Sequence, residues 1–131
     1  MSASFQELAD AFVNWYYDKL NNKRDELELV YNNESLVTFQ DIQIYGQNAR
    51  GQLNIIERLL SEGLKEMTKK PLHVTAQPCV GNTVLICVQG SMRMSPEEVE
   101  ELSFFENFVI GKDNESGGFF ICNQVFSTNG V

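Results

Sequence analysis

The sequence is poor in the residues from which metal centres, disulfide frameworks and catalytic triads are built. It contains a single histidine, His73, and three cysteines, Cys79, Cys87 and Cys122, none of which belongs to a CxxC pair. An odd number of cysteines without a neighbouring histidine signals neither a disulfide framework nor a zinc site, and it is typical of a reducing compartment. We therefore expect no metal, no cofactor and an intracellular location.

Long apolar runs and positive charge are also scarce. No apolar run approaches the roughly 20 residues that a membrane-spanning helix requires. The ten Lys and Arg residues face eighteen Asp and Glu residues, which gives a formal net charge of -8. Such a charge repels phosphate backbones and anionic lipids, so we expect a soluble chain that binds neither nucleic acid nor membranes directly. Lys65, Lys69 and Lys70 form the one basic cluster, and we interpret it as a solvated helix end.

The sequence does contain enough apolar residues for one sizeable core. Its 131 residues are 43% hydrophobic and 11% aromatic, and no linker, repeat or low-complexity tract interrupts them. This composition predicts a single domain over residues 1–131.

Three helices are predicted in the first half of the chain. Ser4 and Glu7 form a capping-box pattern, after which apolar residues recur at three- and four-residue steps as far as Leu20. Asn21 and Asn22 end this helix, and a shorter second helix follows and stops at Asn32-Asn33. A third helix is predicted over Ala49 to Ser61.

The remaining segments read as β-strands, because β-branched and aromatic residues alternate between turn-rich segments. The predicted strands are Leu36 to Phe39, Ile42 to Tyr45, Leu72 to Gln77, Thr83 to Met94, Ser103 to Gly111 and Gly118 to Val125. Short connections between the last four favour antiparallel neighbours. The order of elements, with no βαβ alternation, predicts an α+β fold with helices packed on one face of a curved antiparallel sheet.

The N-terminal string from Phe5 to Tyr17, with its paired tyrosines, closely resembles the opening helix of the nuclear transport factor 2-like family. The resemblance continues through Asn33 to Phe39 and Gly46, and through Thr83 to Gly90 and Phe105 to Phe108. It implies a cone in which three helices fill the concave face of a strongly curved antiparallel sheet. It also implies that the exposed sheet face pairs with a second subunit, as a homodimer or a heterodimer.

Two transport functions are implied by this resemblance, and the sequence leaves both open. One is a homodimer that carries Ran-GDP into the nucleus, and the other is the small subunit of a heterodimer with a large mRNA-export receptor. Both bind the phenylalanine-glycine repeats of nucleoporins, and both work in the nucleus, the cytoplasm and the nuclear pore. Neither is an enzyme.

The resemblance also assigns roles to particular residues. Phe5 occupies the position of a tryptophan that lines the slot for nucleoporin repeats, although it is equally suited to a hydrophobic staple on the first helix. Gln40 replaces a glutamate that pairs with a lysine of Ran, and a neutral amide cannot form that ion pair. These two positions predict a weaker repeat slot and weaker Ran binding.

Further positions depart from the family pattern around the expected partner surface. An acidic pair of the family falls near Ser95 and Glu97, so only half of it is present. Gln124, Phe126 and Ser127 stand where the last strand normally has an aspartate, an aromatic residue and an arginine. We take Phe39, Met92, Met94, Glu97 and Phe126 as further candidates for partner binding.

A small-molecule-binding enzyme is the alternative hypothesis, because enzymes share this fold and use a pocket between helices and sheet. The candidate acid and base residues would be Tyr16, Asp18, Tyr31 and His73. They form no recognisable motif. Trp15 is suited either to anchoring a partner or to packing.

Overall fold

The computed structural model describes residues 2–32, 34–39, 42–45, 66–112 and 118–128. Helix α1 runs over Ser2–Asn22, and a 3₁₀ helix follows over Arg24–Val30. The helix begins before Ser4, so this residue lies inside it rather than at its cap, whereas the predicted end at Asn22 is confirmed. Arg24 closes that end by donating from Nε to the backbone oxygen of Leu20 at 2.8 Å. The predicted third helix, Ala49 to Ser61, lies outside the described residues.

Six strands make up one sheet within the described ranges. They are β1 (Leu36–Phe39), β2 (Ile42–Tyr45), β3 (Thr68–Cys79), β4 (Thr83–Arg93), β5 (Leu102–Lys112) and β6 (Phe119–Thr128). The order across the sheet is β2-β1-β6-β5-β4-β3. The α+β class with helices on a curved sheet is thus confirmed, and each predicted strand is present, with β3, β5 and β6 longer than predicted.

One pairing corrects the prediction of an antiparallel sheet. Strand β1 pairs with β6 in parallel, with Leu36 opposite Asn123 and Phe39 opposite Phe126, whereas the other pairings are antiparallel. No hairpin joins β1 to β6 in sequence, so the rule that short connections give antiparallel neighbours does not constrain this pair. Register shifts after Pro71 and after Val109 mark the kind of irregularity that bends strands.

The core lies between the helices and one face of the sheet. Along β4 the side chains alternate, so that Val84, Ile86, Val88 and Met92 point inward. Gly90 shares this face, and a Cβ there would lie 2.1 Å from the backbone oxygen of Lys70 and 2.7 Å from the ring of Phe104. Only glycine permits so close an approach of β3, β4 and β5.

The prediction that the lysine cluster forms a solvated helix end is wrong, because strand β3 includes two of its residues. The strand already begins at Thr68, and Lys69 is its first inward-facing residue, with only 3% of its surface exposed. Lys70 points to the opposite face and is exposed, because side chains alternate along a strand. Lys65 lies outside the described residues.

None of the helices in the described ranges is long and apolar enough to cross a membrane.

Candidate functional site

Polar side chains from distant parts of the chain meet beneath α1, on the helix-covered face of the sheet. We call this set the inner polar centre; its members are Tyr16, Tyr17, Tyr31, Lys69, Glu106 and Gln124. Each of them is buried. Tyr16 and Tyr17 reach the sheet because they lie one turn beyond Phe12 and Val13, on the inward side of α1.

Two tyrosines and a glutamine form a closed ring of hydrogen bonds. The hydroxyl of Tyr31 donates to Oε1 of Gln124 at 2.5 Å, and Nε2 of Gln124 donates to the hydroxyl of Tyr16 at 3.0 Å. The two hydroxyls lie 2.8 Å apart. Because the single proton of Tyr31 points to Gln124, the third bond runs from Tyr16 to Tyr31. The ring ties α1 and the segment after the 3₁₀ helix to strand β6.

Glu106 accepts hydrogen bonds from three neighbours. Its Oε1 accepts from the Tyr17 hydroxyl at 2.7 Å and from Nζ of Lys69 at 2.9 Å. Its Oε2 accepts from Nε2 of Gln124 at 2.6 Å. Nζ of Lys69 also lies 3.9 Å from the centre of the Phe126 ring, a cation-π arrangement. The buried carboxylate and the buried ammonium therefore compensate each other.

Burial sets the protonation of this centre. It raises the pKa of Tyr16 and of Tyr17 above the ordinary value, and the Glu106 carboxylate acts in the same direction. Burial also raises the pKa of Tyr31, and the adjacent Tyr16 adds to the shift. For Lys69, burial lowers the pKa while Glu106 opposes that shift. The tyrosines are thus neutral near pH 7 and already bonded, which suits them to holding elements together rather than to proton transfer.

The residues of the enzyme hypothesis do not converge on one pocket. Tyr16 and Tyr31 belong to the inner polar centre, whereas Asp18 lies on the exposed side of α1 and accepts from Nδ2 of Asn22 at 3.0 Å. His73 is exposed on the opposite face of the sheet, where it pairs with Gln89. Across the described ranges, no three His, Cys, Asp or Glu side chains are grouped so as to hold a metal ion.

An apolar groove lies along one flank of α1, between this helix, the 3₁₀ helix and the start of β6. Its volume is about 340 Å³. The lining residues are Leu8, Ala11, Phe12 and Trp15 of α1, Val30 of the 3₁₀ helix and Phe119 at the start of β6. The four helical residues recur at three- and four-residue steps, which places them in one stripe along the helix. We call this feature the α1 groove.

Phe5 is not among the residues that line the α1 groove. It lies one turn before Leu8, is partly buried and packs against the core. The aromatic residues of the groove are instead Phe12, Trp15 and Phe119. The sequence named Trp15 as an anchor candidate but gave no sign of Phe119, which lies more than a hundred residues away along the chain.

The outer face of the sheet carries a second exposed apolar surface. Phe105 on β5 and Val125 on β6 are each 47% exposed. A shallow depression of about 210 Å³ lies beside them, between the outward side chains of β3, β4 and β5. Its lining residues are His73, Thr75, Cys87, Val88, Gln89, Phe105 and Asn107.

The partner-binding candidates from the sequence fall into different environments. Phe39, Met92 and Phe126 are buried in the core, where they pack within the chain. Met94 is partly buried against the same core, and Glu97 is exposed on the turn after β4. Gln40 lies outside the described residues. Phe39, Met92 and Phe126 point inward because side chains alternate between the two faces of a strand. Residue type alone does not show which face a given position takes.

Gln124 and Ser127, the two other departures from the family pattern, have contrasting positions on β6. Gln124 is buried and links Tyr16, Tyr31 and Glu106, so it is a structural residue of the inner polar centre. Ser127 is partly exposed and lies opposite Phe105 on the outer face.

These features define a class of protein: an α+β domain in which helices cover one face of a curved sheet. Its buried polar groups are hydrogen-bonded to one another, and apolar surfaces lie outside. A model of the nuclear transport factor 2 domain matches residues 8–128. The chain therefore belongs to the nuclear transport factor 2 domain family.

Individual relatives extend over nearly the whole chain. Nuclear transport factor 2 of Candida albicans is 29% identical over 130 residues, which cover 98% of both proteins. The structure of nuclear transport factor 2 from Cryptosporidium parvum superposes with a TM-score of 0.81 at 27% identity, covering 95% of this chain and 94% of that one. A structure of a Sac3N peptide bound to Mex67:Mtr2 shares the fold, with a TM-score of 0.66 at 13% identity and coverage of 95% and 99%.

Proposed function

We propose that this protein is a non-catalytic nucleocytoplasmic transport factor that binds the phenylalanine-glycine repeats of nucleoporins in the α1 groove. The observation that carries the proposal is the groove itself, which is lined by apolar side chains and includes Trp15 and Phe119. A phenylalanine ring gains most of its binding free energy from buried apolar area and from contact with other rings. The family to which the chain belongs supports the same function, with action in the nucleus, the cytoplasm and the nuclear pore.

The outer face of the sheet is the proposed surface for a second subunit. Phe105 and Val125 are exposed there, and the adjoining depression is lined by no carboxylate and no lysine or arginine. Two copies of a chain with a net charge of -8 repel each other at long range, so the uncharged depression is the part of this face where they meet at the lowest electrostatic cost. This supports a homodimer.

Between the two transport functions, we place the carrier of Ran-GDP first. The full-length relatives named nuclear transport factor 2 support it, whereas the likeness to Mex67:Mtr2 concerns the fold alone. Glu97 and its acidic neighbours are exposed on the turn after β4, where a basic surface of a partner has access to them.

The mass of the purified protein in solution, measured alone and then after addition of Ran-GDP, tests these assignments. We expect a homodimer that gains mass with Ran-GDP. A monomer that ignores Ran-GDP would contradict the importer and support the small subunit of an mRNA-export heterodimer. Glutamate in place of Gln40 should strengthen the Ran complex if the neutral amide is what weakens it.

Retention on immobilised nucleoporin repeats tests the repeat site. Trp15→Ala should reduce retention strongly, and Val99→Ala, a change at an exposed residue of the turn after β4, should not. Retention that falls with Phe5→Ala and not with Trp15→Ala would move the site away from the α1 groove. Failure of the unaltered protein to bind repeats would overturn the proposal.

A further inference from the structure

The charged residues beside the α1 groove are unevenly distributed. Glu7, Asp10 and Asp18 are exposed on α1, and the only basic residue within the helix is Lys19. Lys19 is already paired, since its Nζ lies 3.0 Å from Oε1 of Glu26. The solvent side of this helix is therefore negatively charged along its length.

Two of these acids lie next to groove residues. Glu7 precedes Ala11 by four residues, and Asp18 follows Trp15 by three. Residues at these separations are surface neighbours on a helix, with Cβ atoms about 5–6 Å apart. One carboxylate thus borders the groove near Ala11 and another near Trp15. On the opposite side, Lys112 pairs with Phe119 across β5 and β6 and is exposed.

From this arrangement we infer that the α1 groove selects extended peptides in which an aromatic residue is flanked by lysine or arginine within a few positions. The inference rests on the proposed function and specifies the kind of repeat that the groove prefers. The ring occupies the apolar groove, and the flanking cations meet Glu7 and Asp18 on the α1 side. Complementary charges around an apolar anchor determine specificity and association rate more than they determine total affinity.

The test compares two labelled synthetic peptides with the same phenylalanine-glycine core, one flanked by lysines and the other by glutamines. Binding is measured by fluorescence polarisation on the full chain at low and high salt. We expect the lysine peptide to bind roughly fivefold more tightly at low salt, as befits two exposed ion pairs. At about 1 M salt, where the screening length falls to about 3 Å, the two affinities should converge.

Matched variants separate a local effect from the effect of net charge. Glu7→Gln combined with Asp18→Asn should abolish the preference and leave the glutamine peptide unaffected. Asp10→Asn combined with Glu66→Gln removes the same charge from two exposed residues that do not line the groove. No groove residue is three or four positions from Asp10 along α1, and Glu66 lies before β3, so this control should keep the preference.

Equal affinities of the unaltered protein for the two peptides would overturn the inference and leave the proposed function standing. A preference that persists in the Glu7 and Asp18 variant, or that disappears equally in the control, would overturn it as well. If neither peptide binds, the proposed function fails, and the charge preference fails with it.

Discussion

Helix α1 presents two contrasting surfaces to its surroundings. Its inner side carries the hydroxyls of Tyr16 and Tyr17 into the core, where polar groups bond to one another. Its flank toward the α1 groove leaves the apolar side chains of Leu8 and Trp15 partly exposed. The helix thus places some polar groups in the interior and leaves some apolar groups within reach of solvent.

The inner surface of α1 stabilises the fold, whereas its groove surface is suited to binding a partner. In the inner polar centre each hydroxyl, amide and charge has a partner in the chain, so the centre fixes the helices on the sheet. In the α1 groove part of the apolar area remains exposed, so its burial by a partner yields free energy. Changes to the inner polar centre should therefore alter stability most, and changes to the outer surfaces should alter binding.

The largest effect is expected at Glu106. Glu106→Gln leaves the buried ammonium of Lys69 without its counter-charge, and loss of one member of a buried ion pair costs about 3–5 kcal/mol. Urea unfolding should show this loss in the free energy of unfolding. The matched change Glu97→Gln, on the exposed turn after β4, should alter that free energy by less than about 0.5 kcal/mol.

The double variant Lys69→Met with Glu106→Leu sharpens this prediction. It removes both charges at once, and apolar replacement of a buried pair is often neutral. We expect it to recover much of the stability that Glu106→Gln loses. A double variant as unstable as the single one would show that packing, rather than the unpaired charge, accounts for the loss.

Alkaline pH should weaken the inner polar centre by a smaller amount. The pKa values of Tyr16, Tyr17 and Tyr31 are raised in the folded chain, so the unfolded chain loses these protons first. Their stabilisation is complete below about pH 10 and declines above it. The lowered pKa of Lys69 acts in the opposite sense near its ordinary value, so it offsets part of the decline.

We expect the free energy of unfolding to fall by about 1–3 kcal/mol between pH 10 and pH 11, as measured by urea unfolding at each pH. Tyr17→Phe removes one of the titrating groups and should make this slope shallower. A variant with an unchanged slope would contradict the assignment of the decline to the buried tyrosines.

The smallest change in free energy is expected on the outer surfaces, where two exposed phenylalanines can be compared. Phe119→Ser should weaken repeat binding about tenfold, because it removes an aromatic residue from the α1 groove. Phe105→Ser should leave repeat binding intact and weaken the homodimer, since Phe105 lies on the outer sheet face. Calorimetric titration measures repeat binding, and the mass in solution measures the homodimer. Equal loss of repeat binding in both variants would contradict separate surfaces.

The sequence predicted the fold well because its strands depend on local patterns. The alternation from Thr83 onward and the turn at Ser95 predicted strand β4 to within one residue of its observed end. The parallel pairing of β1 with β6 was missed, since it joins segments more than eighty residues apart. Residue type favours a strand but does not select its partner.

The inner polar centre was beyond prediction for a related reason. Lys69 belonged to a cluster of lysines that resembled a solvated surface, and nothing nearby in sequence indicated that Glu106 would pair with it. The apolar stripe of α1 was predictable from its spacing. Which part of the stripe stays uncovered depends on where the chain places Val30 and Phe119 beside it. Tertiary contacts decide both outcomes.

The central claim is that repeats bind in the α1 groove, and the fluorescence of Trp15 tests it most directly. Trp15 is the single tryptophan of the chain, and it lines the groove. Titration with a phenylalanine-glycine repeat peptide that contains no tryptophan should change its emission to saturation, and Phe119→Ser should shift the midpoint to higher peptide concentration. A peptide that binds by calorimetry and leaves the emission of Trp15 unchanged would contradict the account.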